Sequence, residues 1–87
     1  MYKVVFHRLA KDGLKKISTK EKIRIYSKIR RLTENPFSPN TNATKLKDLP
    51  NGYRLRIGKV RVVYEIAQGA KTLIVWKISP RGSVYSN

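Results

Sequence analysis

Tyr53-Arg-Leu-Arg-Ile-Gly-Lys-Val-Arg-Val-Val-Tyr64 is the stretch that decides the fold. Apolar and polar residues alternate from Tyr53 to Ile57, the period of a half-buried strand. Gly58-Lys59 makes a two-residue loop, with glycine at the first loop position, where a positive φ is needed. That loop sets the register of a β-hairpin. Ile57 faces Val60, Leu55 faces Val62 and Tyr53 faces Tyr64, giving one apolar face. The other face sets Arg56 against Arg61 and Arg54 against Val63. Two arginines directly opposite each other repel and cost stability. A polyanion bound on this face accounts for the pair; a merely solvated basic face is the alternative.

The rest of the composition points the same way. The chain has 87 residues with 20 Lys+Arg against five acids, a formal net charge of +15. That length predicts a single domain over 1–87, burying roughly 60–65% of its unfolded surface and only marginally stable. At 40% hydrophobic the chain is too apolar for a disordered basic tail. A folded and very basic small domain suggests nucleic acid or an acidic protein as partner. No long basic amphipathic helix points to a membrane surface. There are no cysteines, hence no disulfide framework and no zinc finger. The single His7 cannot make a metal site alone and reads as structural rather than catalytic. With no long apolar run and no signal-peptide pattern, a cytoplasmic protein is expected.

Outward from the hairpin, the elements follow in simple order. Tyr2 to Phe6 is a short strand. Arg8 to Ile17 reads as a helix with Ala10, Leu14 and Ile17 on one stripe, although Gly13 costs roughly 1 kcal/mol against alanine. Ser18-Thr-Lys-Glu21 matches a capping box and opens a second helix from Thr19 to Glu34, with Ile25, Ile29 and Leu32 inward. Asn35-Pro36 ends it. Pro36 to Thr44 is a polar loop, and Pro50-Asn51-Gly52 a turn before the hairpin. The second hairpin strand continues to Ile66. A five-residue loop, Ala67 to Lys71, leads to a third strand, Thr72 to Ile78, with Lys77 opposite Arg61 on the positive face. The expected architecture is α+β: an N-terminal strand, a two-helix hairpin, a three-stranded antiparallel meander and a short C-terminal tail. The helices cover one sheet face and leave the arginines on the other.

Lys45-Leu-Lys-Asp-Leu-Pro-Asn-Gly-Tyr-Arg-Leu-Arg-Ile-Gly58, then Val60-Arg-Val-Val-Tyr-Glu-Ile66, then Arg81 with Val84-Tyr85, in this order, resemble the RelE/ParE superfamily of toxins from type II toxin–antitoxin pairs, and its RelE branch more than its ParE branch. The resemblance implies a RelE-like toxin domain that cuts messenger RNA in the ribosomal A site, needs no metal or other cofactor, and inhibits translation. It implies neutralisation by a small RelB-like antitoxin, with operator DNA bound only through that complex. Arg61 matches the core active-site arginine of the family. Arg54 and Arg56 stand where prototype RelE enzymes have lysines, and Arg81 and Tyr85 match the C-terminal arginine and tyrosine. Many relatives have a histidine where this chain has Pro80.

The resemblance implies distinct roles. Arg56 and Arg61 stabilise charge on the phosphorane, since guanidinium forks match phosphate oxygens. Arg54 positions the RNA backbone, with Lys45, Lys47 and Lys77 as further RNA contacts. Arg81 clamps the scissile phosphate or passes a proton through water. Tyr85 serves as base if neighbouring cations lower its pKa, or stacks on a base, or simply packs the tail. Arginine does not deprotonate at physiological pH, so Arg54 and Arg56 are poor bases. Two other functions stay open: a ParE-like toxin that binds DNA gyrase without cutting RNA, and a RelE-like module that only binds.

Overall fold

Seven elements are present among the described residues, 1–38 and 42–80 of a computed structural model. In chain order they are β1 (Lys3–Phe6), α1 (Arg8–Leu14), α2 (Thr19–Glu34), β2 (Ala43–Lys45), β3 (Gly52–Ile57), β4 (Val60–Ala67) and β5 (Thr72–Ser79). The strands form one five-stranded sheet in the order β1-β5-β4-β3-β2. The meander β3-β4-β5 is as expected, with two additions. β1 lies parallel beside β5, Lys3 to Phe6 against Thr72 to Val75. β2 extends the other edge from within the segment read as a polar loop, pairing Thr44 with Arg54.

The hairpin register is the expected one at every position from Tyr53↔Tyr64 to Ile57↔Val60, including Arg56↔Arg61. Gly58 has φ 61° and carries the turn. Lys77 does not face Arg61. It pairs with Val63, while Arg61 pairs with Ser79. The loop holds only the four residues between Ala67 and Thr72, and a register shift between Val63 and Tyr64 sets Trp76 as an extra residue on β5. A bulge of this kind inserts one residue and re-aims the side chains around it. Lys77 nevertheless stays on the arginine face, one cross-strand position along.

Ser18 and Glu21 form the capping box at the start of α2, with bonds of 3.0 and 3.1 Å to each other's amides. The buried Ile25, Ile29 and Leu32 of α2 join the inner face of the sheet, where Leu55, Val60, Val62, Tyr64, Ile66, Leu73, Val75 and Ile78 are all almost inaccessible. Along β4 the even-numbered residues are buried and the odd-numbered ones half-buried, so only one face is closed. α1 is shorter than its apolar stripe suggests and ends at Leu14.

Gly13 explains why α1 tolerates a glycine. It is buried against β5, and an added Cβ would run into the Ile78 carbonyl. Helix propensity alone favours alanine here by about 1 kcal/mol. The overlap with backbone outweighs it, so Gly13→Ala (G13A) is expected to destabilise by about 1–3 kcal/mol. Urea unfolding measures this, and an unchanged midpoint would show that α1 can lift off β5.

Tyr64 lies on the closed face, stacked on Tyr53 with ring centroids 5.7 Å apart. Burial, and then the neighbouring Tyr53, push its pKa up from 10.0 to about 12. The folded state therefore resists ionisation of this phenol. Its contribution is fully present below the unfolded pKa of 10.0 and drains away as pH rises through about 12. Wild-type protein should lose roughly 2–3 kcal/mol to this group across that window. Urea unfolding of Tyr64→Phe (Y64F) alongside wild type should show a correspondingly smaller alkaline loss in the variant.

Candidate nucleic-acid interface

The hairpin backbone builds the site. Arg54 and Arg56 alternate with Tyr53, Leu55 and Ile57 along β3, and the apolar set is drawn to the core. The arginines must then stand on the opposite face. Across β4, Arg56 meets Arg61 directly. Arg54 meets Val63 on one side and Thr44 on the other. Asn42, Thr44, Arg54, Arg56 and Arg61 together line a depression of about 200 Å³. Arg54 and Arg56 are exposed and Arg61 is half-buried. Three guanidinium groups around one pocket, with the hydroxyl and amide groups of Thr44 and Asn42, fit a phosphate or a short run of phosphates.

The other expected contacts are distributed differently. Lys77 lies on the same face, in a row that runs Thr44, Arg54, Val63, Lys77 across four strands. Lys45 pairs with Tyr53, which puts it with the apolar set and away from the arginines. Lys47 follows β2 in an exposed bend. Neither lysine lines the arginine pocket. Arg81 and Tyr85 lie outside the described residues.

His7 has a structural role. Its Nδ1 accepts the Leu9 amide at 3.2 Å and caps α1, and its ring lies 5.0 Å from that of Trp76. Among the described residues no cluster of His, Cys, Asp and Glu could hold a metal ion, and no helix is long and apolar enough to cross a membrane. Thr44 and Asn42 escape the sequence reading because β2 is three residues long and its surroundings look like a turn-rich loop. A strand pairing beside Arg54 is the only signal that would reveal them.

A family model described as the ParE toxin of type II toxin–antitoxin systems, parDE, matches residues 4–85. The chain belongs to this family. As a ParE-family toxin it shares its fold with several solved structures. The archaeal RelE in the RelE–RelB complex from Pyrococcus horikoshii OT3 is 25% identical, with TM-score 0.79 and coverage of 93% of this chain and 96% of that one. The intact E. coli RelBE toxin–antitoxin complex contains a chain 21% identical, with TM-score 0.76 over 92% and 96%. A YoeB/ParE toxin from Agrobacterium tumefaciens is 22% identical, with TM-score 0.76 over 90% and 96%. No curated protein matches the sequence. The ParE-family toxin thus has the RelE-like α+β fold, and its basic pocket sits on the sheet face that the core residues do not use.

Proposed function

We propose that this toxin is an endoribonuclease that cuts messenger RNA in the ribosomal A site and so stops translation. The observation that carries the reading is the meeting of Arg54, Arg56 and Arg61 in one pocket on the open sheet face. Arginines directly opposite each other repel, and an anion bound between them relieves that repulsion. In the proposed reaction the RNA's own 2′-oxygen attacks the adjacent phosphorus. The bond to the 5′-oxygen breaks, leaving a 2′,3′-cyclic phosphate and a 5′-hydroxyl. Arg56 and Arg61 bind the non-bridging oxygens as negative charge builds, and Arg54 holds the neighbouring phosphate. The chemistry calls for no metal. Tyr85 takes the proton from the 2′-hydroxyl, and Arg81 supplies one to the leaving 5′-oxygen through a bridging water.

Arginines cannot serve as the base at neutral pH. The ribosome supplies what the pocket does not, by holding the strand in attack geometry. A small RelB-like antitoxin neutralises the toxin in the cytoplasm, by analogy with the RelE–RelB complexes of the same fold.

A second reading has one observation in its favour: the matching family model is that of ParE. Under it the toxin binds DNA gyrase and cuts no RNA. Expression without an antitoxin, followed by mapping of messenger RNA 5′ ends, separates the two. Cuts within translated frames with codon phasing support the ribonuclease; a DNA-damage response with intact messages supports the gyrase reading.

A further inference from the structure

The open sheet face has a second half that the arginine pocket does not use. Beyond the row of Thr44, Arg54, Val63 and Lys77, the exposed Val5 pairs with the half-buried Ile74, and Trp76 stands beside them on β5. Trp76 is the only tryptophan of the chain. Its neighbours Val75 and Ile78 are buried in the core, yet Trp76 remains partly exposed. The bulge opposite Val63 and Tyr64 is what gives it this position.

The indole is held at two places. Its Nε1–H donates to Glu65 Oε1 at 2.9 Å, diagonally across the β4–β5 pair. Its ring lies against His7, with centroids 5.0 Å apart and planes at 44°. His7 is itself fixed by the Leu9 amide at the start of α1. Among the described residues Glu65 is the only acid on a strand, and it accepts the indole N–H. With its polar edge bonded to Glu65, the indole keeps part of its aromatic surface exposed. Cations lie to one side of it: Lys77 is adjacent in sequence, and Arg54 lies two strands away in the row of Lys77, about 10 Å across the sheet.

We infer that Trp76 is a stacking platform for a nucleobase of the RNA strand whose phosphates occupy the pocket of Arg54, Arg56 and Arg61. This rests on the nucleic-acid reading of that pocket. An aromatic surface beside a row of cationic positions matches the neighbouring base and phosphates of a single strand, and base stacking tolerates any sequence because every base has a π-face. Trp76 is then a positioning residue: it holds a neighbouring base and so orients the phosphate presented to Arg61. Val5 and Ile74 extend the apolar surface beneath the sugar and base.

The unique tryptophan provides the test. The purified toxin is titrated with a single-stranded DNA oligonucleotide, which lacks the 2′-hydroxyl and cannot be cut, and with an abasic strand of equal phosphate number. Fluorescence anisotropy of labelled strands reports binding, and Trp76 emission reports stacking. Both strands should bind, and only the base-bearing strand should quench the emission. Trp76→Ala (W76A) should weaken the base-bearing strand about tenfold and leave the abasic strand unchanged, whereas Trp76→Phe (W76F) should retain most of the affinity. Equal quenching by both strands, saturation without quenching, or a loss in W76A shared by both strands would overturn the platform while leaving the arginine pocket in place. Absence of binding by either strand would overturn the nucleic-acid reading and the platform with it. Quenching by an acidic peptide but by neither strand would assign the face to a protein partner instead.

Discussion

Arg61→Ala (R61A) is expected to abolish growth arrest when the toxin is expressed alone, with little change in the melting transition. Arg61 stands on β4 opposite Arg56 and projects into the pocket, while its neighbours Val60 and Val62 fill the core from the other face. In the proposed reaction, truncation removes a guanidinium from the place where phosphorane charge develops, and it takes nothing from the inner face. Losing one such preorganised donor costs about 10²–10³ in rate. The variant also relieves the repulsion with Arg56, which offsets part of what the lost side-chain contacts cost. Growth curves and a thermal melt read the two effects separately. A folded variant that is still fully toxic would remove Arg61 from the mechanism.

Leu55→Ala (L55A) should act through the fold instead. Leu55 lies between Arg54 and Arg56 on β3, is wholly inaccessible, and pairs with Val62 at the centre of the closed face. Removing a buried leucine side chain costs about 2–5 kcal/mol, the spread reflecting how far the cavity collapses. A domain of this size has roughly 5–10 kcal/mol in all, so the loss is a large share of it. Urea unfolding should show a lower midpoint with a similar slope. Toxicity should fall with folded fraction, and an antitoxin bound only to the folded state should restore the fold by mass action. A midpoint near that of wild type would mean that the hairpin does not rest on this contact.

The two substitutions are six residues apart and differ in which face they touch, and this distinction was legible in the sequence. Alternation from Tyr53 to Ile57 and the two-residue loop Gly58-Lys59 define one hairpin register that buries Leu55, Val60 and Val62 together, and that register forces Arg56 onto Arg61. The helix start at Ser18 was equally plain, because a capping box is a local signal. What escaped was non-local. β1 pairs in parallel with a strand almost 70 residues away, and no turn announces such a pairing. β2 is three residues within a polar segment and exists because the β3 edge accepts it. The register of β5 differs from expectation by two residues, one from a loop of four residues rather than five and one from a bulge, an extra residue that alternation cannot see. Lys45 is expected among the RNA contacts, and its pairing with Tyr53 sets it on the other face from the arginines.

The central claim is that the open face of the hairpin cuts RNA. Purified toxin mixed with ribosomes stalled on a defined message tests it most directly, with the same message free of ribosomes and the R61A protein as controls. Cleavage within the A-site codon of the stalled message, little on free RNA and none with R61A, is the predicted result. An intact message in the stalled complex, under conditions where wild-type toxin arrests growth, would contradict it.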